Sequence, residues 1–515
     1  MMTEKVLAQH RWLILAVLSL SLVIIGIDNT ILNIAIPTLQ RTFEASASEL
    51  QWMVDSYILV FAGLLLVMGA VGDRFGRAKA LAVGLAIFGA ASAFAGYSDS
   101  SSALIAARAV MGIGGALMMP ATLSIIVDVF PADERAKAIA IWAAVAGLGI
   151  GIGPLLGGVL LENFWWGSVF LVNIPIVIAA LILGRIYVPD SKDPETRRID
   201  LVGAGLSMAT VTSIVYAIIE APSLGWTSTR VLSLLGVGVV TGAIFAWWEN
   251  RVDDPLFDLK FFQNRRFSGG VLAITVAFFA LFGFIFLFTQ YMQFVKQYTP
   301  FEAGVRIAPI ALGMAFGATR SHIAVTKFGT TKVVTTALLA LAAVIVSAAF
   351  WTATTSYGYL IIGIIGLSAS IGFVMAPATE AVMGAVPVAK AGIGSATNDV
   401  TRQMGGALGI AIIGSAANAR FASGMADAVA GLPAGIADAA SNSVGAAMTI
   451  AGQLPDAGGL ALASAASDAF LDGISAAVVL TAGILVVGAA VVAKLLPATE
   501  ARGRTANHGE RRTST

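Results

Sequence analysis

WLILAVLSLSLVIIGIDNTILNIAIP, residues 12–37, is a run of 26 mostly apolar residues that contains a single carboxylate, Asp28. A helix of about 20 residues already crosses the hydrocarbon core of a bilayer, so this stretch predicts a membrane-spanning helix with an ionisable group below the surface. A charge at that depth costs at least about 2.5 kcal/mol, and a partner, water or a proton must compensate it. Asp28 is therefore either a carboxyl group that hydrogen-bonds a neighbouring helix or part of a proton or cation site.

The composition indicates that this helix is one of many. Of the 515 residues, 57% are hydrophobic and 12% are charged, against about 25% charged in soluble domains. Alternating strand patterns are absent, which predicts an all-α polytopic membrane protein. The chain has no cysteine and its three histidines are far apart, so disulfides and thiolate or histidine metal motifs are excluded. No phosphate-binding loop or nucleophile–base pair is visible, so we expect neither an enzyme nor a cofactor, and no nucleic acid partner.

Apolar segments recur along the chain and predict its topology. Fourteen membrane spans are expected, near residues 12–36, 50–71, 79–97, 103–129, 137–161, 168–187, 200–220, 230–249, 267–291, 303–325, 332–350, 357–383, 392–417 and 473–495. An even number of spans places both termini on one side of the membrane. Most Lys and Arg residues fall in the tails and in the loops on that side, which the positive-inside rule assigns to the cytoplasm.

A weak internal repeat predicts two related halves. GAVGDRFGRAK (69–79) follows the second span, and HIAVTKFGTTK (322–332) follows the second span of the C-terminal half. Both copies contain a basic residue followed by Phe-Gly, two residues and Lys. Repeats of this kind are typical of transporters that bind the substrate between two halves near mid-membrane.

The repeat predicts a 6+2+6 arrangement of helices. Residues 1–187 form the N-terminal six-helix bundle, 188–266 two inserted linker helices, and 267–497 the C-terminal six-helix bundle. The last bundle includes an extracytoplasmic loop, 418–472, where helical composition between two prolines predicts a helical hairpin before the last span. Residues 498–515 are polar and basic and predict a disordered cytoplasmic tail.

Ionisable residues inside the spans are the candidate proton-coupling residues. Helix rise places Asp28, Asp55 and Arg108 at a similar depth, so we expect the arginine to neutralise one carboxylate and leave the other free to take a proton. Asp399 and Arg402 lie three residues apart on one helix near mid-membrane. The alternatives are a structural network of ion pairs in the N-terminal half and a self-paired interhelical contact at Asp399.

Two glycine-rich stretches are candidate conformational elements. In GAVGDRFGRAK, Asp73 can cap a helix N-terminus or pair with Arg135, and such a latch could hold one conformation. In GLGIGIGPLLGG (147–158), glycines around a proline give a smooth, bent helix face, with close packing alone as the alternative. The predicted gating residues are Gly69, Asp73, Arg74, Gly76, Arg77, Arg135, Gly149, Gly153, Pro154, Gly157 and Gly158.

Several stretches together resemble signatures of the major facilitator superfamily, specifically its fourteen-helix drug:proton antiporter branch of QacA-like and LfrA-like multidrug efflux pumps. The matching stretches are IDNTILNIAIP (27–37), QWMVDSYILVFAGLLLVMGAVGDRFGR (51–77), ARAVMGIGGALMMPATLS (107–124), GIGPLLGG (151–158) and NFWWGSVFLVNIP (163–175). The resemblance covers nearly the whole chain and implies the major facilitator fold. It also implies that Asp28, Asp55 and Asp399 match acids that handle protons or cations, and that Arg108 matches the arginine of proton coupling.

Three positions depart from the pattern of that branch. Met314 stands where the tenth helix of QacA-like pumps can carry an acid, and Arg402 adds a positive charge beside Asp399. Both departures weigh against divalent cations as substrates. The second copy of the loop motif has Thr326 where the first has Asp73.

The resemblance implies a monomeric drug:proton antiporter of the bacterial inner (plasma) membrane, driven by the proton motive force through alternating access. Its expected substrates are amphipathic, mostly cationic compounds such as dyes, quaternary ammonium antiseptics and antibiotics. The expected substrate-binding residues are Asp28, Asp55, Trp52, Tyr57, Met111, Met118, Phe284, Phe288, Met375 and Asp399. An exporter of an endogenous envelope lipid or metabolite, and a transporter-like sensor or scaffold without flux, are the alternatives.

Overall fold

The structure is a computed structural model of the chain that describes residues 4–45, 47–192 and 200–496, and these residues form helices and connecting turns with no strand. The predicted tail 498–515 lies outside the described residues. The helices are α1 (Glu4–Phe43), α2 (Ala47–Phe75), α3 (Arg77–Gly96), α4 (Ser101–Val129), α5 (Ala132–Asn163), α6 (Ser168–Leu171), α7 (Asn173–Tyr187), α8 (Leu201–Leu224), α9 (Thr229–Glu249), α10 (Arg265–Gln290), α11 (Pro300–Ile307), α12 (Ile310–Phe328), α13 (Thr330–Val346), α14 (Tyr357–Met383), α15 (Ala391–Met425), α16 (Ala434–Asn442), α17 (Val444–Ala451) and α18 (Asp456–Leu495).

Within the described residues, 13 helical segments are long and apolar enough to cross a membrane. They coincide with thirteen of the fourteen predicted spans, so the protein is an all-α multi-pass membrane protein. The remaining predicted span, 392–417, is helical as part of α15. Its sequence is less apolar because it carries buried polar and charged side chains, among them Asn398, Asp399 and Arg402.

The predicted 55-residue loop, 418–472, is much shorter than expected. Helix α15 continues to Met425 and α18 begins at Asp456, which leaves residues 426–455 between them. Alanine-rich sequence has a high helix propensity, so both helices extend beyond their apolar segments. Two short helices, α16 and α17, occupy the connecting segment.

The helices pack in two groups, the N-terminal helices (α1–α7) and the C-terminal helices (α10–α18). Within each group the helices contact one another extensively, as α2, α3 and α4 do in the first group and α12, α13 and α14 do in the second. Contacts between the groups are made mainly by α5 with α12 and by α2 with α15. Helix α8 packs against both α2 and α15, while α9 packs chiefly on α8. The inserted pair therefore lies beside one contact between the groups.

Backbones approach each other closely where α12 crosses α14. A Cβ atom on Gly372 of α14 would lie 2.5 Å from the carbonyl oxygen of Met314 and from the amide nitrogen of Ala318, both on α12. Backbone atoms cannot turn aside as flexible side chains can. Glycine is therefore required at this crossing, as in other close helix contacts within membranes.

Replacing Gly372 with alanine should destabilise the protein by about 1–3 kcal/mol, because the added methyl group overpacks a backbone-to-backbone contact. The measurement is the midpoint of thermal unfolding of the purified protein in detergent. Gly363→Ala, on the same helix, is the matched control, since no described atom lies within 4 Å of its Cβ position. Equal midpoints for the two variants would contradict the packing at this crossing.

Candidate functional site

A buried ion pair joins α4 to α1. Nη1 of Arg108 lies 2.6 Å from Oδ2 of Asp28, and the two side chains are only 2% and 1% exposed. Nε of Arg108 donates to the carbonyl oxygen of Met53 on α2 at 3.1 Å. The guanidinium also lies over the ring of Tyr57, with its Cζ 4.5 Å from the ring centroid. Three helices thus hold one charge pair, which compensates the cost of the Asp28 carboxylate in the membrane.

Only one oxygen of the Asp28 carboxylate takes part in this pair. Oδ1 of Asp28 and the hydroxyl group of Tyr57 are buried and have no hydrogen-bond partner among the described residues. An ionised carboxylate can accept several hydrogen bonds. Asp28 can therefore accept a proton or a further donor on Oδ1 while Oδ2 still faces the arginine.

Asp55 does not join the Asp28–Arg108 pair, so the expectation of one shared cluster is wrong. Met53 and Tyr57, one turn apart on α2, both contact Arg108. Successive residues in a helix are rotated by about 100°, so Asp55, halfway between these two, points to the other side of α2.

The other side of α2 faces the inserted helix α8. There the carboxyl group of Asp55 interacts with Gln51 and with the carboxyl group of Glu220 on α8. Glu220 in turn lies 3.9 Å from the guanidinium of Arg230. Trp52, predicted to line the substrate cavity, packs on Tyr216 of α8 instead, with ring centroids 5.5 Å apart.

The second buried pair lies within α15. Nη1 of Arg402 is 3.3 Å from Oδ1 of Asp399, and the side chains are 7% and 2% exposed. Asn398 also donates to Oδ1, at 3.4 Å, and the Asn398 side chain accepts a hydrogen bond from Thr379 of α14 at 3.0 Å. Oδ2 of Asp399 and Nε of Arg402 are buried without a partner in the described part of the chain.

The Arg402 side chain reaches from the C-terminal helices to the N-terminal helices. Its Cζ lies 4.9 Å from the ring centroid of Trp142 on α5 and 5.0 Å from that of Phe278 on α10. Nη2 is 3.3 Å from the sulfur of Met375. Trp142 is itself held by a hydrogen bond from Nε1 to Thr122 of α4 at 3.2 Å. A cationic side chain therefore bridges the two groups of helices.

Two of the predicted wall methionines contact the buried arginines and one does not. The sulfur of Met111 is 3.9 Å from Nη1 of Arg108, and Met375 contacts Arg402 as described. Met118 is buried against Gly84 of α3, inside the N-terminal helices.

The predicted wall residues Phe284 and Phe288 pack inside the C-terminal helices. Each contacts the ring of Trp351, with centroid distances of 5.7 and 5.5 Å. Their role as substrate-binding residues stays a prediction. Both lie on one face of α10, a turn apart, so both rings meet Trp351 in the turn between α13 and α14.

Asp73, at the end of α2, connects the two groups of helices, and we call this side of the bundle the Asp73 end. Its carboxylate accepts hydrogen bonds from the backbone N–H of Gly392 at 2.9 Å and of Ile393 at 3.3 Å, at the start of α15. Arg77 pairs with Asp73 at 2.8 Å and donates to the carbonyl oxygen of Val388 at 2.6 Å. Asp73 thus caps a helix N-terminus, one of its two predicted roles.

Other predicted gating residues lie around this end. Arg135 donates to the carbonyl oxygen of Val127 at 2.7 Å, so it stabilises the α4–α5 turn and its predicted pairing with Asp73 is wrong. Arg74 lies over the ring of Phe75, 5.2 Å from its centroid. Gly76 has φ +117° in the α2–α3 turn, a conformation that favours glycine. Gly69 faces Gly392 of α15, where a Cβ atom would lie 2.5 Å from its carbonyl oxygen.

The glycines of the α5 motif allow close contact on two sides of that helix. Gly149, Gly153 and Gly157 face α1, and a Cβ atom on Gly153 would lie 2.9 Å from a carbonyl oxygen of α1. Gly158 and Pro154 face α11. The smooth face predicted from the sequence is therefore a packing surface toward both groups of helices.

Sequence reasoning missed Trp142, Phe278 and Glu220. Trp142 and Phe278 lie in apolar stretches, where no linear signal distinguishes a residue beside an arginine from ordinary packing. Glu220 could have been recognised as a candidate, because it is an acid at the end of the predicted span 200–220.

Two groups of apolar helices that bury paired charges within and between them are typical of a multi-pass membrane transporter. The chain belongs to the major facilitator superfamily, whose family model matches residues 18–410. Members of this superfamily are transporters and not enzymes.

Two relatives match almost the whole chain. The multidrug efflux pump LfrA of Mycolicibacterium smegmatis is 36% identical over 484 residues, which cover 94% of this chain and 96% of LfrA. The methyl viologen resistance protein SmvA of Salmonella typhimurium is 36% identical over 468 residues, covering 90% of this chain and 93% of SmvA. Among solved structures, the proton:xylose symporter XylE has a TM-score of 0.60 at 13% identity, covering 96% and 97% of the two chains. This last similarity confirms the fold.

Arg108→Leu should destabilise the protein by about 3–5 kcal/mol, because it leaves the buried Asp28 carboxylate without its partner. Adding Asp28→Asn should recover most of the loss, since the unpaired charge is then removed. Thermal unfolding of the purified protein in detergent measures both effects.

Arg420→Leu is the control for this pair of variants. It removes an ion pair with Asp472 whose side chains are 56% and 64% exposed, and such surface pairs contribute about 0–1 kcal/mol. If the double variant were as unstable as Arg108→Leu alone, the Asp28–Arg108 pair would not be the source of the effect.

Proposed function

We propose that the chain is a drug:proton antiporter of the fourteen-helix branch. In this role it exports amphipathic, mostly cationic compounds such as dyes, quaternary ammonium antiseptics and antibiotics from a bacterial cell by alternating access. The relatives named as a multidrug efflux pump and a methyl viologen resistance protein support export of drugs. Proton coupling is supported by the family and by the buried carboxylates.

The observation that carries the proposal is that Asp28 and Asp399 lie in different groups of helices and each has one paired and one unpaired oxygen within the described residues. A carboxylate of this kind can take up a proton in one conformation and attract a cation in another. Asp55 forms a third acidic unit with Glu220, which brings the inserted pair of helices into the proton pathway. Arg108 holds one oxygen of Asp28 at 2.6 Å and leaves the other oxygen available to a proton.

Alternating access requires a contact that closes one side of the protein at a time. We assign the Asp73 end to the cytoplasm, where the bonds from Asp73 and Arg77 to the start of α15 hold the two groups together. Releasing these bonds opens the drug site to the cytoplasm and the inner leaflet. Protons enter from the opposite side, and a negative-inside potential favours their entry by about 2.3 kcal/mol per charge per 100 mV.

The proposal includes a topology with fourteen spans. Helix α15 completes the fourteen as the thirteenth span in chain order, because its polar residues face other helices and not lipid. Both termini are cytoplasmic. Residues 1–187 and 267–497 form the two six-helix bundles, and 188–266 form the inserted pair. Helices α16 and α17 form an extracytoplasmic hairpin. The working unit is a monomer in the plasma membrane, without a cofactor and driven by the proton motive force.

Inverted membrane vesicles test this function directly. Wild-type vesicles with an acidic lumen should accumulate ethidium, and a protonophore should abolish the accumulation. Asp28→Asn and Asp399→Asn should each reduce ethidium accumulation by at least about tenfold. Each variant loses a site for a driving proton, and one proton that crosses a 100 mV potential contributes about 2.3 kcal/mol.

Asp427→Asn provides the control, because Asp427 is an exposed acid in the segment between α15 and α18. Its ethidium accumulation should equal that of the wild type. Accumulation that ignores the protonophore would exclude proton-driven export.

A further inference from the structure

The guanidinium of Arg402 lies in a box of four side chains, which we call the cation box: Asp399, Trp142, Phe278 and Met375. It meets one carboxylate oxygen at 3.3 Å, a thioether sulfur at 3.3 Å, and two aromatic rings at 4.9 and 5.0 Å from their centroids. Trp142 comes from the N-terminal helices and the other three side chains come from the C-terminal helices. The box therefore lies where the two groups of helices meet.

Arg402 is held less firmly than Arg108, which is also buried. Arg108 makes a 2.6 Å contact to Asp28 and a second hydrogen bond from Nε to a backbone carbonyl. Arg402 makes a 3.3 Å contact to Asp399, longer than the about 2.7–2.9 Å of a strong charge-assisted hydrogen bond. Within the described residues its Nε has no partner, and neither does Oδ2 of Asp399. Aromatic faces and sulfur account for much of what surrounds the guanidinium.

The chemistry of the box fits organic cations in general. Aromatic faces attract a cation through the ring quadrupole, and tryptophan does so best. A quaternary ammonium or phosphonium ion has no N–H to donate, so it needs faces and a nearby negative charge but no hydrogen-bond acceptors. Asp399, Trp142 and Phe278 supply these features, and the flexible Met375 adapts to different shapes.

We propose that the cation box is a binding site for monovalent lipophilic cations and that Arg402 occupies it as a built-in competitor. This inference rests on the proposed function and adds where the cation binds and which side chain competes with it. Two positive charges within about 5 Å repel strongly inside a protein, so drug and guanidinium cannot share the box. A bound drug therefore displaces Arg402 from Trp142 and takes over the contact with Asp399.

The competition has a consequence for transport. A drug in the box touches Trp142 on α5 and Asp399 on α15, so its binding depends on how the two groups of helices are arranged. When they separate, Arg402 returns to Asp399 and the drug loses its counter-charge. Arg402 thus lowers drug affinity and promotes release.

Binding of tetraphenylphosphonium to the purified full-length protein tests the proposal. Arg402→Gln should bind this cation at least about tenfold more tightly than the wild type, because the competing charge is gone. Arg402→Lys, which keeps the charge balance, should also bind more tightly but by less, since a compact, strongly hydrated ammonium covers the aromatic faces poorly. Adding Trp142→Leu to either variant should cancel most of the gain, as one aromatic face is lost.

Arg251 and Trp247 provide matched controls. The Cζ of Arg251 lies 4.5 Å from the Trp247 ring centroid, and that tryptophan is 52% exposed. Arg251→Gln and Trp247→Leu therefore remove the same kind of pair at an exposed position, and both should bind tetraphenylphosphonium as the wild type does.

Unchanged or weaker binding in both Arg402→Gln and Arg402→Lys would overturn the proposal, and so would a gain that survives Trp142→Leu. Arg402→Lys keeps the test decisive if Arg402→Gln does not fold. Ethidium transport by wild-type vesicles separates the two levels of inference. If wild-type vesicles transport ethidium but the Arg402 variants bind tetraphenylphosphonium as the wild type does, the proposed function holds and the cation box is wrong. If the Arg402 variants bind more tightly but the wild type does not transport ethidium, the cation box holds and the proposed function is wrong.

Discussion

The contact between Arg108 and Asp28 is the interaction on which the N-terminal helices depend. An unpaired charge inside a membrane-spanning bundle is costly, so α1, α2 and α4 are arranged around one guanidinium. The second pair, Asp399–Arg402, obeys the same constraint with looser geometry. Arg108 makes a short contact to Asp28 and a second hydrogen bond to a backbone carbonyl. Arg402 is surrounded mainly by aromatic rings and a thioether sulfur. The two pairs therefore differ in how firmly the arginine is held, while each leaves one carboxylate oxygen without a partner among the described residues.

Helices α2 and α15 link this charge arrangement to movement. Each presents polar groups to more than one neighbour: α2 faces Arg108 on one side and Glu220 on the other, and Asp73 at its end caps α15. Asp399 and Arg402 lie on the same helix, α15, further from the end that Asp73 caps. A shift of α15 relative to α2 therefore changes the contacts at the Asp73 end and the surroundings of Arg402 together. Glycines at the crossings let the backbones of these helices approach closely.

The sequence predicted the burial of Asp28, Arg108, Asp399 and Arg402, because a charge inside an apolar run has few alternatives. It did not predict the burial of Asp73, Arg77 and Glu249, which lie at or near the ends of the apolar runs. Capping by Asp73 was one of the two roles expected for it, and close packing was the alternative to a conformational role for the α5 glycines. The sequence could not show which partners meet. Asp55 was grouped with Asp28 by depth alone, although rotation around α2 turns it toward α8. Trp142 had no signal in its own stretch, since its role comes from an arginine some 260 residues further along the chain. The helix ends at Met425 and Asp456 were missed because alanine-rich sequence continues a helix without being strongly apolar.

Exchange of protons for organic cations at the buried carboxylates is the central claim, and proton release on binding measures it most directly. Tetraphenylphosphonium added to the purified protein in a weakly buffered solution should release about one proton per bound cation, because ligands that compete are linked reciprocally. The release should disappear when Asp28→Asn and Asp399→Asn are combined. Saturating binding by the wild type with no change in pH would contradict the claim.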